Sequence, residues 1–289
     1  MKISFKPLFL DSLMLAWKNK VLWFLGIFVA SSVSFVTYTK TEVGQFWSLI
    51  DEGYFVSRIS ALIQTLPILL LLIIIFVIVV AISLFSVVCT TGLIKAVKDR
   101  TNNLGIKIGF WGNVKFGVAK FWRMLGLNIL LLVPGLFILF VMFFGVRYFD
   151  TDWLFYPLLL FLFIYGIFVV LFSYYSYAYL VLYDRGVFDS YKMGIQFLAK
   201  NFWESVVAGV IRLVLALVFY IAEFFVIILV ILPFALVAFL LLIFSGWLLP
   251  FIITIVGFIT LIVVSLIFRG FKVAVVYSFM LKIFWQLDK

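Results

Sequence analysis

The sequence contains no histidine and a single cysteine in 289 residues, and only 12% of its residues are charged. Without histidine, the Ser-His-Asp and Cys-His catalytic groupings and the H-E-x-x-H zinc motif are excluded. The lone cysteine, Cys89, excludes an intrachain disulfide, and its apolar surroundings are typical of an unreactive thiol. No P-loop or G-x-S-x-G motif is present either. We therefore expect no enzymatic activity, no metal site and no bound cofactor.

Hydrophobic residues, by contrast, make up 67% of the chain, and the mean hydropathy is +1.32. Soluble domains are only about half apolar, so this composition predicts an integral membrane protein. Asp11 and Lys18 interrupt the first twenty residues, which therefore lack the apolar core of a cleavable signal peptide. The first membrane helix is expected to serve as its own signal.

Long apolar runs predict where the chain crosses the membrane, because about 20 helical residues span the hydrocarbon core. Four such runs are uninterrupted by charge: 21–38, 67–94, 124–145 and 154–182. A further stretch, 205–268, has only two charged residues, Arg212 and Glu223, and is long enough for two more spans. The sequence thus predicts six membrane-spanning helices.

The distribution of basic residues predicts the orientation of those spans. Eighteen of the 22 lysines and arginines fall before the first span, in the second and fourth connections, or after the last span. The other two connections, between spans one and two and between spans three and four, contain only three basic residues, Lys40, Arg58 and Arg147. By the positive-inside rule, both termini are cytoplasmic. The net charge of +10 then faces anionic lipid headgroups, and no basic soluble domain exists that would bind nucleic acid.

Tryptophans prefer the two membrane interfaces, and the nine in this chain lie near predicted span ends. Trp247 places the last outer turn within 245–250, so the limb that begins at Ser205 is longer than one bilayer crossing. We expect Pro233 to break this limb. Residues 234–249 are then interpreted as a re-entrant or interfacial helix, with a seventh span as the alternative.

Between the fourth and fifth spans lies an amphipathic segment, 187–202. On a helical wheel its apolar residues share one face, opposite Lys192 and Lys200. This pattern predicts a helix lying flat on the cytoplasmic surface, with its lysines reaching toward lipid headgroups. The side chains predicted to face the bilayer are Val187, Tyr191, Ile195, Leu198 and Phe202.

Two other segments show the same pattern and also lead into a membrane span. Residues 109–123 place Phe110, Val114, Val118 and Phe121 on one face and carry Lys115 and Lys120 as candidate lipid contacts. At the N-terminus the corresponding residues are Leu10, Leu13, Met14 and Trp17. We therefore expect one transmembrane domain, 1–289, built from three hairpin repeats of about 1–100, 101–185 and 186–289. The alternative is that basic amphipathic connectors occur in any multispan protein.

Two stretches also carry a resemblance to a known family. LYDRGVFDSYKMGIQFLAKNFW, at 182–203, and LAWKNKVLWFLGIF, at 15–28, resemble a family of largely uncharacterised six-helix prokaryotic membrane proteins. These are similar to the membrane domain fused to some glycerophosphoryl diester phosphodiesterases. The resemblance implies the fold, a prokaryotic cytoplasmic membrane and a lipid-related role. It transfers no catalytic residue, because the phosphodiesterase barrel needs a soluble domain and histidines.

Arg212 and Glu223 are the strongest candidates for a polar site inside the membrane. A charge at mid-bilayer costs at least about 2.5 kcal/mol, so both are expected to face the bundle interior. Eleven residues of helix separate them by about 16 Å, so each needs its own partner. The alternative is that each reaches the nearer membrane interface. Ser173, Ser176 and Tyr177 are candidates to line a polar pocket, with interhelical hydrogen bonding as the alternative.

The sequence therefore favours a non-catalytic membrane module that binds lipid or scaffolds a membrane-protein partner at the cytoplasmic membrane. The alternative function is a small transporter with a polar cavity near Arg212 and Glu223. Close helix packing is expected along Gly26, Ala30 and Ser34, because small residues spaced by four let another helix approach.

Overall fold

The computed structural model describes residues 4–38, 66–102, 109–149, 152–245 and 248–288. Nearly all of these residues are helical, and within these ranges there is no strand. In chain order the helices are α1 (Phe5–Lys18), α2 (Lys20–Tyr38), α3 (Leu66–Asn102), α4 (Phe110–Ala119), α5 (Phe121–Phe149), α6 (Asp152–Leu182), α7 (Val187–Lys200), α8 (Phe202–Ser245) and α9 (Leu248–Leu287).

Helix length and composition make the chain a multi-pass membrane protein. Five helices, α3, α5, α6, α8 and α9, are long and apolar enough to cross a bilayer. The bent pair α1 and α2 is the sixth candidate, and its two helices meet at 99°. The 19 residues of α2 extend about 28 Å, close to the thickness of the hydrocarbon core.

The prediction of a break at Pro233 is wrong. Helix α8 runs through Pro233 for 44 residues, and 234–245 are its last three turns rather than a separate re-entrant or interfacial helix. Proline is tolerated within membrane helices because neighbouring helices and local adjustments satisfy the freed backbone carbonyl. The described part of 202–287 forms two helices, so no seventh span divides it. The connections 39–65 and 246–247, with Trp47 and Trp247, lie outside the described residues.

The buried core lies at one end of the bundle. Completely buried side chains come from all six long helices, among them Leu22, Leu93, Met124, Tyr175, Ala208 and Phe279. Helices α1, α4 and α7 lie against α9, α3 and α6 at this same end. We call it the basic end, because Lys98 of α3 and Lys282 of α9 also lie there.

One close helix crossing in the core joins α2 to α9. A Cβ added at Gly26 would collide with the backbone carbonyl of Gly270, and one added at Gly270 would collide with the carbonyl of Trp23. Gly26 thus packs as the small-residue pattern predicts, although the side chain of Ser34 lies outside the description. This crossing packs α2, from the N-terminal part of the chain, against α9, the last described helix.

Candidate functional site

Small residues seat the three short helices of the basic end on the long ones. On α4, a Cβ at Gly117 would collide with the carbonyl of Val88, and on α7 a Cβ at Gly194 would collide with the hydroxyl of Ser176. On α1, Ser12 is completely buried and donates to the carbonyl of Leu8. Each short helix therefore buries one narrow face and leaves its other sides open.

The open sides of these helices carry large apolar and aromatic side chains. The most exposed are Leu10, Met14 and Trp17 on α1, Trp111 and Val118 on α4, and Phe188 and Ile195 on α7. Trp122 and Trp203 are similarly exposed where α5 and α8 begin. Aromatic and apolar side chains around a charged surface are typical of a segment at a membrane interface.

The face of α7 predicted to meet the bilayer is divided by the structure. Leu198 is buried in the protein core, so that part of the prediction is wrong. Val187 and Tyr191 also pack partly against the core, whereas Ile195 and Phe202 are exposed. A hydrophobic wheel misses this division because it gives no weight to the small residues that let α7 approach α6. For the same reason Val114 on α4 is buried, whereas Val118 is exposed.

The four lysines predicted to contact lipid fall into two groups. Lys115, Lys192 and Lys200 are exposed at the surface. Lys120 instead forms a salt bridge with Asp184, and its side chain is only 18% exposed. Lys120 is therefore less accessible to a headgroup than the other three.

Asp184 holds the turn between α6 and α7 against α5. Its backbone has a φ of 54°, in the left-handed region that aspartate tolerates better than most residues. Its carboxylate accepts hydrogen bonds from Lys120 and from Arg123 Nη1, the latter at 2.7 Å. The ammonium of Lys120, followed by the guanidinium of Arg123, holds the pKa of this carboxyl below its usual value.

The C-terminal end of α6 is tied to two other helices. Lys98 Nζ of α3 donates to the carbonyl of Leu182 at 3.0 Å, a favourable place for a cation. Tyr179 and Tyr183 donate to the two carboxylate oxygens of Asp288, at 2.8 and 2.5 Å. The hydrogen bond to Asp288 raises the pKa of Tyr183 to about 12, with burial as the second cause.

A groove of about 760 Å³ opens at the basic end between α1 and the last turns of α3 and α9. Its charged lining consists of Asp11, Lys18, Arg100 and Lys282, and the rest of the lining is a mixture of apolar and neutral polar side chains. The groove thus combines three cations and one carboxylate with an apolar wall. Neither Arg212 nor Glu223 lines it.

Glu223 is buried between α8 and α9 and is fully paired there. Its carboxylate accepts from Arg269 Nε at 2.6 Å and from the hydroxyl of Ser265 at 3.0 Å. Only 6% of the Glu223 side chain is exposed, against 44% for Arg269. Glu223 therefore faces the bundle, as predicted.

Arg212 has partners of its own on α6. Its Nη1 lies 3.5 Å from the carbonyl oxygen of Val170, and its guanidinium stands over the ring of Tyr174 at 4.7 Å. Arg212 and Glu223 do not contact each other in the structure, which agrees with the prediction from their spacing. Instead, the structure places them in two separate polar clusters.

The three remaining candidates for a polar pocket make separate contacts, within α6 or with a neighbouring helix. Ser173 donates to the carbonyl of Val170 on its own helix, and Tyr177 donates to Asn128 Oδ1 at 2.6 Å. Ser176 packs against Gly194, and its hydroxyl has no partner among the described residues. Of the three, Tyr177 alone makes an interhelical hydrogen bond of the kind that the alternative interpretation predicts.

Sequence reasoning missed the partner of Glu223. The charge distribution places Arg269 only among the basic residues after the last span, whereas counting along an antiparallel hairpin pairs it with Glu223. Glu223 lies 22 residues before the end of α8 at Ser245, and Arg269 lies 21 residues after the start of α9 at Leu248. One turn further, Lys272 Nζ stands 3.3 Å from the ring centroid of Tyr220.

No protein-family model, curated protein or solved structure matches the chain. Over the part of the chain that the structure describes, no group of three or more metal-ligating side chains converges. The site must therefore be interpreted from its own geometry.

Proposed function

We propose that this chain is a non-catalytic membrane module that binds anionic lipid at its basic end. One observation carries the proposal: α1, α4 and α7 lie together there and expose both aromatic side chains and lysines. Exposed aromatics such as Trp17, Trp111 and Trp203 suit the interfacial zone, while Lys115 and Lys192 suit the negative surface above it.

Lipid composition tests this function directly. The protein is stripped of lipid in detergent and titrated with equal amounts of phosphatidylglycerol and phosphatidylcholine that carry the same acyl chains, and native mass spectrometry counts the lipids retained. We expect phosphatidylglycerol to be enriched, and salt to reduce that enrichment because surface charges are screened. Combined Lys115→Gln, Lys192→Gln and Lys200→Gln substitutions should lower it further. Equal retention of the two lipids would refute the proposal.

The orientation and location belong to the same proposal. The basic end faces the cytoplasm of a prokaryote across its cytoplasmic membrane, with both termini inside. Single cysteines placed at Asn102 and Thr151 in a Cys89→Ala background test this with an impermeant thiol reagent. Label at Thr151 but not at Asn102 in intact cells is the expected result, and the reverse pattern contradicts it.

We also infer that the chain consists of three repeats, each a flat helix followed by two spans. The packing supports this, because α1, α4 and α7 each lie on the second span of the repeat before, with α1 closing onto α9. The first spans support it too, because each has buried positions at the same spacing. These are Leu22 and Leu25, Met124 and Leu127, and Ser205 and Ala208. Membership of the six-helix prokaryotic family is part of the same proposal. An experimental structure would test the repeats by showing whether the three units superpose.

A small transporter is the second candidate, and Glu223 is the observation that favours it. A buried carboxylate inside a long apolar stretch is commonly functional in membrane proteins. If it takes part in coupling, Glu223→Gln should change substrate or proton flux in liposomes while the protein stays folded. The same assay on Ser173→Ala, a residue with only a local hydrogen bond, is the control. Equal flux through both variants would exclude a coupling role for this carboxylate.

A further inference from the structure

Among the described residues that line the groove at the basic end, Lys18 and Lys282 alone outnumber the carboxylate of Asp11. Lys18, Arg100 and Lys282 line it together with one carboxylate, that of Asp11. Concave sites of about 300–1,000 Å³ are typical of small-ligand binding, and this groove of about 760 Å³ lies within that range. Charge complementarity therefore favours an anionic occupant.

Lys282 is the residue that most needs such an occupant. Its side chain is only 11% exposed, and its Nζ lies 4.0 Å from Asp11 Oδ2, beyond hydrogen-bonding distance. Within the described part of the chain, this ion pair is the one polar contact of the ammonium. Asp11 itself is 61% exposed, so water weakens the pair. A lysine whose side chain is this deeply buried and so weakly paired is costly unless a further acceptor reaches its ammonium.

The apolar wall of the groove continues onto the exposed edge of α1. Met14 lines the groove and is also half exposed, and Trp17 lies one turn further along the helix. A molecule with a charged head and an apolar tail could place its head beside Lys282 and its tail along this edge. A small soluble anion would use only the first of these two features.

We propose that this groove binds one anionic phospholipid, with the phosphate held by Lys282 and Lys18 and an acyl chain lying along Met14 and Trp17. The inference rests on the proposed lipid-binding function and adds to it a single defined site. The lipid phosphate supplies the acceptor that Lys282 lacks. Asp11 opposes the binding, since it is the one negative charge among the described residues of the lining.

Native mass spectrometry of the full chain in detergent, titrated with phosphatidylglycerol, tests this site. Lys18→Gln and Lys282→Met should each weaken the tightest bound lipid by about tenfold, because each removes one charge-assisted contact. Asp11→Asn should strengthen it by about threefold, a gain that damage to the fold cannot produce. Arg185→Gln removes an exposed arginine from the turn before α7, outside the groove, and should leave this lipid within about twofold of the wild type.

The outcomes separate the inference from the function beneath it. If Arg185→Gln weakens the tightest lipid as much as Lys18→Gln does, the groove is no defined site, although anionic lipid still binds. If phosphatidylglycerol and phosphatidylcholine bind equally to the wild type, both proposals fail. If millimolar glycerol phosphate or inorganic phosphate displaces the lipid completely, the groove is a site for soluble anions and the lipid assignment is wrong. Should Lys282→Met not fold, Lys18→Gln and Asp11→Asn decide the matter, because both residues are exposed.

Discussion

Leu22, Met124 and Phe279 are completely buried at the basic end, whereas Phe76, Phe163 and Leu229, further along the long helices, are at least 65% exposed. In water, so large an exposed apolar surface would drive aggregation. In a bilayer the lipid tails cover it. The two regions therefore depend on different forces: tight packing and polar pairing at the basic end, and contact with lipid beyond it.

The same comparison shows which region contains the specific polar contacts between helices. Salt bridges and side-chain contacts between helices are concentrated at the basic end, where α1, α4 and α7 bring together charges that are distant in sequence. In the halves of the long helices away from the basic end, one exposed apolar side chain can replace another with little effect on the fold. Substitutions of equal size should therefore have very different effects in the two regions.

The largest effect is expected for Arg269→Gln, at the border between the regions. The substitution leaves Glu223 buried without its charged partner, and breaking a buried pair in this way costs about 3 kcal/mol. The double variant with Glu223→Gln should recover most of that loss. Equilibrium unfolding in mixed detergent micelles measures both. No recovery in the double variant would mean that the pairing is not what stabilises α8 against α9.

Next is the crossing of α2 and α9. Gly26→Ala puts a Cβ into the backbone of Gly270 and should destabilise the fold by about 2 kcal/mol. Gly166→Ala is the matched control, since a Cβ there meets no described atom within 4 Å. The control should be neutral or slightly stabilising, because alanine favours helix more than glycine does. Equal unfolding curves for the two variants would contradict the proposed difference between the regions.

A smaller, pH-dependent effect is expected at Asp184. Asp184→Asn keeps a residue that tolerates the left-handed backbone but removes the charge that pairs with Lys120 and Arg123. Because folding lowers the pKa of this carboxyl, its stabilising effect is present above the unfolded value of about 3.9 and is lost as the pH falls through the folded value. The melting temperatures of wild type and variant should therefore differ slightly at pH 7 and converge in strong acid. A difference that persists in strong acid would point to another cause.

The smallest effect is expected at Tyr183, which is tied to Asp288. The phenol should titrate near pH 12, rather than near 10, because its hydrogen bond to the carboxylate favours the protonated form. Its stabilising effect is complete below pH 10 and is lost as the pH rises toward 12. The tyrosinate absorbance of wild type minus Tyr183→Phe isolates this group. A midpoint near pH 10 would show that the contact with Asp288 does not form in solution.

Much of the fold could be predicted from the sequence, and the exceptions have physical causes. The spans followed from apolar runs, and the short amphipathic segments 187–200 and 110–119 are helical as expected. The break at Pro233 was predicted because proline removes one helical hydrogen bond and its ring clashes with the carbonyl four residues earlier. Membrane helices tolerate this loss better than helices in water do. The side of α7 that packs inward was missed because close approach depends on Gly194 and Ser190, which a hydrophobic wheel ignores.

The candidate site was less accessible to sequence reasoning. Arg212 and Glu223 stood out as charges in an apolar stretch, and that much needed no structure. The partners of both lie on other helices, at Tyr174 and Arg269, and the groove joins residues as distant as Asp11 and Lys282. Neither hydropathy nor charge counting specifies which helices become neighbours.

The sequence by itself determined that this chain is a helical membrane protein, because an apolar run of this length has no other stable environment and each span is encoded locally. The tertiary structure alone decided which charges are paired and which remain available. The ascending and descending limbs of a hairpin align Glu223 with Arg269, and the closure of α1 onto α9 places Lys282 in a groove beside the exposed carboxylate of Asp11. Those pairings depend on packing between distant segments, which local sequence patterns do not encode.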